Sequence, residues 1–219
     1  MEAAGIRGEG GRDDVVAGRS ARESEAVVQP PPLTANPAPL GLAAFALTTF
    51  VLSMFNSGLV SDKGEPVVFA LALAYGGIAQ LLAGMWEFRT GNTFGATAFT
   101  SFGAFWISFW ALEQFFAKSI PAANAGDAVG LYLIAWGIFT AYMFIASLRT
   151  TGAIALVFIL LAVTFIILGI GEANASTGTV KLGGYLGLAT AIAAWYASFA
   201  EVTNATFNRV VLPTIPLRR

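Results

Sequence analysis

Six apolar runs dominate the pattern of hydrophobic and polar positions along the chain. Each is close to the ~20 residues that an α-helix needs to cross the hydrocarbon core of a bilayer. Short polar stretches with Gly, Pro or Asn separate the runs, as expected where antiparallel helices are joined by tight loops. The pattern predicts an all-α integral membrane protein, a bundle of six transmembrane helices over about residues 40–60, 67–87, 94–114, 128–148, 153–171 and 182–200.

The two ends of the chain differ from these runs. Residues 1–35 are rich in Gly, Arg, Asp and Glu and include three consecutive prolines at 30–32. Such a segment buries too little apolar area to offset its ordering entropy, so it is predicted to be a disordered tail. The predicted transmembrane domain covers residues 36–208, and residues 209–219 form a short C-terminal tail.

Basic residues predict the orientation of the bundle. With six spans, both tails and the second and fourth loops share one side, and that side holds nine arginines. The opposite side holds three basic residues, Lys63, Lys118 and Lys181. The positive-inside rule therefore predicts a multi-pass protein of the cell membrane with both termini in the cytoplasm.

Composition narrows the possible functions. Hydrophobic residues make up 56% of the chain and charged residues 11%, against about 25% charged in soluble domains. The absence of Cys and His removes thiolate and imidazole metal ligands and histidine-based nucleophile systems. We therefore expect no metal, no cofactor and no enzymatic activity. With a net charge of −1 and no basic patch, we expect no nucleic-acid partner.

The first apolar run begins with two prolines, Pro37 and Pro39. A proline in the first helical turn costs little, because its missing N–H would have no intrahelical partner. Asn36 is then the predicted N-cap, and Asn92, followed by Thr93, is a second predicted cap on the same side. Each helix start is either a rigid cap alone or a cap that also attracts an anion to a cytoplasmic mouth.

Polar residues within the apolar runs are the candidates for substrate binding. Thr49 and Asn56 share one face of the predicted first helix, with Thr48 beside them, and Ser101 lies in the third run. Gln80 is a carboxamide near the middle of the second run. These groups either form hydrogen bonds between helices or line a polar pathway. For Gln80 we favour contact with a substrate, because a buried amide without a partner is costly. Glu87, at the end of the same run, is predicted to be a hydrated carboxylate.

Four sequence blocks carry a resemblance to a known family. The chain resembles the acetate uptake transporter family, which includes the succinate–acetate permeases, over about residues 36–212. The blocks occur in that family's order, and the first is its signature. They are "NPAPLGL" at 36–42, "YGGIAQLLAG" at 75–84, "GNTFGATAFTSFGAFW" at 91–106 and "EVTN" at 201–204.

The resemblance implies a pore inside each six-helix subunit, a homohexamer, and proton-linked passage of acetate or other short carboxylates such as succinate. Similar proteins narrow the pore with a Phe, a Tyr and a Leu, which correspond here to Phe45, Phe102 and Leu161. Because Phe102 lacks the tyrosine hydroxyl, we expect a drier constriction. Acetate then passes protonated, or Thr49 and Gln80 supply the missing hydrogen bonds.

Two other functions stay open at this point. A channel for ammonium or another small neutral solute would use the same bundle. A membrane interaction or sensory protein with a vestigial pore is the second alternative, which the polar residues inside the apolar runs disfavour.

Overall fold

A computed structural model describes residues 34–217, which fold into long helices joined by short connections. Within this part of the chain there is no β-strand, only an isolated bridge between Thr151 and Pro216. The predicted tail of residues 1–35 lies almost wholly outside the described residues, so the domain limits stay predictions. The helices are α1 (Ala38–Asn56), α2 (Val67–Thr90), α3 (Thr93–Ala111), α4 (Ala122–Ser147), α5 (Gly152–Ala173) and α6 (Thr177–Thr206).

Five of these helices, all except α3, are long and apolar enough to cross a membrane. The multi-pass membrane protein predicted from the apolar runs is therefore confirmed in outline. Helix α3 is as long as α1, at 19 residues, but its Thr, Ser and Gly residues make it less apolar. A sixth span stays a prediction.

Helices α4 and α6 begin or end well outside their apolar runs. Helix α4 begins at Ala122, directly after Pro121, rather than near residue 128. Helix α6 extends from Thr177 to Thr206 rather than over 182–200. The predicted boundaries were wrong because an apolar run marks only the part of a helix that matches the hydrocarbon core. The helix itself continues until a cap or proline ends it.

The middle of α2 is a wide π-helical turn over Ala74–Ala79. An extra residue in one turn rotates everything that follows it relative to a regular helix. The turn is packed tightly on α1 and α3, since a Cβ on Gly76 would lie 2.6 Å from Thr48 Oγ1 and a Cβ on Gly77 would lie 2.7 Å from Ile107 Cγ1. Gln80 follows directly and is 1% exposed, so this irregular turn helps to set the direction of a buried amide.

The helices form a ring in chain order. Helix α1 packs on α2 and α6, α5 packs on α4 and α6, and α2 packs on α3. Close approach of α2 and α3 requires glycine, because a Cβ on Gly103 would lie 2.6 Å from the backbone nitrogen of Leu81. Helices α3 and α4 meet mainly through aromatic rings, as in the Phe105–Tyr132 pair with centroids 5.8 Å apart.

Helices α1, α3 and α5 begin at one end of the bundle. Asn36 Oδ1 accepts from the Ala38 N–H at 3.0 Å, and Asn92 Oδ1 accepts from the Gly95 N–H at 3.1 Å. Both predicted side-chain hydrogen bonds are therefore present, but the N-cap of α1 is Pro37 rather than Asn36, one residue later than predicted. Asn36 Nδ2 also donates to Glu201 Oε2 of α6 at 2.7 Å, which fixes the start of α1 against the last helix.

Candidate functional site

Three cavities lie one after another in space between α1, α3 and α5. The first, which we call the termini-side cavity, has a volume of about 680 Å³ and lies near the starts of these helices. The second, the central gap, has only about 20 Å³. The third, the acidic cavity, has about 190 Å³. Neighbouring cavities share lining residues: Leu42, Ala98, Phe99 and Phe158 for the first pair, Phe45 and Leu161 for the second.

The central gap is surrounded by Phe45, Phe102 and Leu161, the three residues proposed for a constriction. All three are nearly inaccessible, with exposures of 3–4%. The rings of Phe45 and Phe102 lie 5.8 Å apart between centroids. Phe102 also packs on Phe139 of α4 and Phe158 of α5, at 5.4 and 6.0 Å. A gap of this volume has room for about one water molecule, so a larger solute passes only if the rings move.

Two of the predicted polar residues lie beside this apolar gap. Gln80 lines the gap, and its Oε1 has no hydrogen-bond partner among the described residues. Thr49 lines the acidic cavity, is 7% exposed, and its Oγ1 likewise has no partner there. A buried polar atom without a partner costs about 1–3 kcal/mol. Both side chains are therefore available to a solute on the path.

Trp106 is a site residue that sequence reasoning missed. It is 2% exposed, lines the acidic cavity, and its Nε1 has no hydrogen-bond partner in the described part of the chain. Its spacing of four from Phe102 was the available signal, since positions i and i+4 share a helix face. An indole N–H directed at a pathway can donate to a carboxyl oxygen.

Other predicted polar residues lie elsewhere. Thr48 is fully buried between α1 and α2, donates to the Ala44 carbonyl at 3.0 Å, and fills the space left by Gly76. Ser101 does not line any of the three cavities. Asn56 lines the acidic cavity near its opening.

The termini-side cavity is lined by the starts of α1, α3 and α5. Ala38, Asn92, Thr93 and Thr151 all contribute to its wall, whereas Asn36, Pro37 and Pro39 do not. Helix starts carry unpaired N–H groups and positive partial charge. This cavity therefore presents three helix N-termini to whatever enters it.

Glu87 lies beside this cavity and departs from expectation. It was predicted to be hydrated, but it is 1% exposed, its Oε1 has no partner among the described residues, and its Oε2 accepts from Thr90 Oγ1 at 3.2 Å. The apolar run ends nearby, but the α2–α3 turn covers the side chain, which a one-dimensional pattern does not reveal.

The acidic cavity is lined by the opposite ends of the same helices. Glu113 follows α3, Glu172 ends α5, and Glu65 comes from the α1–α2 connection. Burial, followed by repulsion from Glu113, Glu172 and Asp62, raises the pKa of Glu65 above its usual value. This cavity therefore combines carboxylates with helix C-termini, both of which carry negative charge.

Residues 21–219 match the GPR1/FUN34/yaaH family. The chain belongs to this family. The resemblance stated from the sequence motifs is thereby confirmed. The match includes α1 to α6 and every residue that lines the three cavities.

Two relatives and one solved structure indicate what GPR1/FUN34/yaaH proteins do. Acetate permease A of Emericella nidulans is 43% identical over 82% of this chain and 65% of its own length. The succinate-acetate/proton symporter SatP of Escherichia coli K12 is 40% identical over 82% of this chain and 94% of its own length. The structure of the bacterial acetate channel SatP superposes with a TM-score of 0.78 and 39% identity, covering 83% of this chain and 99% of that one.

Proposed function

We propose that this chain is a membrane transporter that carries acetate, and other short carboxylates such as succinate, together with a proton. The path runs from the termini-side cavity through the central gap to the acidic cavity. The observation that carries the proposal is the alignment of these cavities through one gap formed by Phe45, Phe102 and Leu161. The names of the family members above support the same substrate.

The chemistry of the gap suits acetate. Aromatic and aliphatic side chains accommodate its methyl group, while Gln80 and Thr49 offer partners to its carboxyl group. A bare anion would lose its hydration at Phe102, which is heavily penalised. Passage of the neutral acid avoids most of this cost, so proton coupling follows from the dryness of the gap.

The proposal includes the finer architecture. We take α3 as the sixth span, because several of its small residues face neighbouring helices rather than lipid: Gly95, Ala98 and Gly103 are all buried. The positive-inside rule places both termini and the termini-side cavity in the cytoplasm. Assembly as a homohexamer in the cell membrane rests on the family resemblance. Native mass spectrometry in detergent tests it, and a monomer alone would contradict it.

The first experiment is uptake of radiolabelled acetate into proteoliposomes, with and without an inward proton gradient at matched acetic acid concentration. We expect protein-dependent uptake that the gradient accelerates. Unlabelled acetate should compete, and ammonium should not. Gradient-independent equilibration would instead indicate a passive pore.

Two outcomes would reject the acetate function. Competition by ammonium but not acetate would favour the small-solute channel. No uptake above empty vesicles would favour a bundle with a vestigial pore.

A further inference from the structure

The acidic cavity is an unexpected feature in a pathway for an anion. Its wall includes Glu65, Glu113 and Glu172, and none of these carboxylates forms a salt bridge with the described residues. Helices α1 and α5 end beside it, so their C-terminal partial charges add to the negative potential, while α3 continues past it as a π-helical turn over Leu112–Phe116. A carboxylate anion entering from this side is repelled, while a proton is attracted.

Acidic groups outnumber basic groups around Glu65. Helix α1 contributes no ionisable side chain to the cavity wall. A positive charge lies in the adjoining groove, on Lys181 of α6, and it is outnumbered by the acids. The charged and titratable groups around Glu65 are Asp62 of the same connection, Glu113 after α3, Tyr132 of α4, Glu172 of α5 and Lys181 of α6.

The wall of the same cavity contains two buried polar atoms without a hydrogen-bond partner among the described residues. Thr49 Oγ1 and Trp106 Nε1 line it, their residues are 7% and 2% exposed, and neither atom has a partner in the described part of the chain. The indole N–H can only donate, and the threonine hydroxyl can donate as well. Donors and carboxylates in the wall of one cavity match a ligand that both accepts and donates hydrogen bonds.

An undissociated carboxylic acid is such a ligand. Its carbonyl oxygen accepts, and its O–H donates to a carboxylate. A four-heavy-atom acid occupies roughly 100 Å³ if each water-sized group takes about 30 Å³, and the cavity has about 190 Å³. A neutral acid also avoids the repulsion that an anion meets here.

We propose that the acidic cavity binds a short carboxylic acid together with its proton. The carboxylates of Glu65, Glu113 and Glu172 accept the hydrogen bond that the acid O–H donates. Thr49 and Trp106 donate to the carbonyl oxygen of the acid. This rests on the proposed function and adds where the coupling proton joins the substrate. The proton is not transferred through the protein: it arrives at the carboxylate cluster, is shared with the substrate carboxyl, and leaves with it as the neutral acid.

The direct test is proton uptake on acetate binding to the purified protein in detergent. Sodium acetate is added from a stock of the same pH, about two units above the usual carboxyl pKa, and a pH-indicator dye reports protons taken from the solution. We expect about one proton taken up per acetate bound, since the bound form is the acid. Acetate bound without proton uptake, or no acetate binding, would overturn the proposal.

The matched variant combines Glu65→Gln, Glu113→Gln and Glu172→Gln, which remove charge at constant shape. We expect acetate affinity at that pH to fall about tenfold, because the neutral acid loses its hydrogen-bond acceptors, with proton uptake lost. Asp127→Asn removes a carboxylate of α4 outside the cavity wall and should change neither quantity. If the triple variant behaves like the unmodified protein, the cluster has no such role.

The same proteins are then reconstituted for transport. With acid outside, the triple variant should need a pH about one unit lower to reach half-maximal uptake. Proton-coupled binding without any transport would reject the transport function but keep the binding inference. Transport with an unchanged pH profile in the triple variant would keep the transport function but reject the binding inference. Each Gln variant alone, expected to give part of the shift, covers the case in which the triple variant does not fold.

Discussion

The two outer cavities differ in electrostatic character, although the same three helices line both. The termini-side cavity collects the starts of α1, α3 and α5 and has one carboxylate, Glu201 of α6, in its wall. The acidic cavity collects their ends and adds Glu65, Glu113 and Glu172. Because antiparallel helices alternate in direction, a path lined mainly by the odd-numbered helices gathers N-termini at one end and C-termini at the other. Chain topology alone therefore favours an anion at one mouth and a proton at the other.

The largest expected effect on acetate uptake comes from Gln80, which lines the central gap between the two outer cavities. In Gln80→Leu the free Oε1 is lost from the gap, and we expect acetate uptake to fall about tenfold, equivalent to one hydrogen bond of about 1.4 kcal/mol. Thermal stability should be maintained or rise, because a buried unpartnered oxygen is removed. Uptake and detergent melting temperature are measured together.

A buried threonine away from the cavities provides the control for Gln80. Thr140→Val removes a hydroxyl of α4 that donates to the Trp136 carbonyl at 2.7 Å. It should leave uptake intact. Equal losses of uptake in the two variants would mean that Gln80 acts through packing rather than on the solute.

The second prediction tests how the termini-side mouth is held. Asn36→Ala removes the 2.7 Å bond to Glu201 and the cap on α1, which we expect to cost about 1–2 kcal/mol and several degrees of melting temperature. Ser176→Ala, which removes only the cap of α6 at the opposite mouth, should cost about half as much. A large loss of uptake with an unchanged melting temperature would instead indicate substrate contact by Asn36.

The third prediction adds charge at the start of α5. Asp caps a helix as well as Thr, so Thr151→Asp should fold normally while it places a carboxylate in the anion-favouring mouth. Loss of a favourable term of about 0.3–1 kcal/mol should weaken acetate binding from this side up to about fivefold. Ser176→Asp makes the same change at the start of α6, outside both cavities, and should have little effect. Equal responses would remove the basis for an anion-favouring mouth.

The smallest effect is expected for Phe102→Tyr. A hydroxyl in the gap supplies a partner for a passing carboxyl group, so uptake should rise about two- to threefold and depend less on pH, since one hydrogen bond contributes about 0.5–1.5 kcal/mol. Phe139→Tyr, in the same aromatic cluster but outside the gap wall, is the control. If Phe102→Tyr leaves both rate and pH dependence unchanged, the dry-constriction explanation of proton coupling fails.

The pH dependence of wild-type uptake follows from the acidic cavity. Because the pKa of Glu65 is raised, mainly by burial and then by its acidic neighbours, this carboxyl takes up a proton at a higher pH than a free glutamate. Acidification on the side of the acidic cavity therefore neutralises Glu65 before a fully solvated glutamate titrates. Glu65→Gln should remove part of that response, as measured by initial uptake rates across the acidic range.

Much of this molecule follows from its sequence. Apolar runs of about 20 residues specify helices in a bilayer, because only internal hydrogen bonding satisfies the backbone there. Asn92 caps α3 as predicted, and Asn36 accepts from the Ala38 N–H just before α1, because such bonds depend on neighbouring residues alone. The "NPAPLGL" block and its companions identified the family without any structure.

Tertiary packing decided what the polar and charged residues do. Thr48 and Thr49 are adjacent in sequence, yet the first fills a glycine gap between helices and the second faces a cavity, since one residue turns a helix by about 100°. Glu65, Glu113 and Glu172 are far apart in the chain and meet only because three connections converge at one end of the bundle. Local patterns fix helices and caps; which buried atoms lack a partner depends on every neighbouring helix at once.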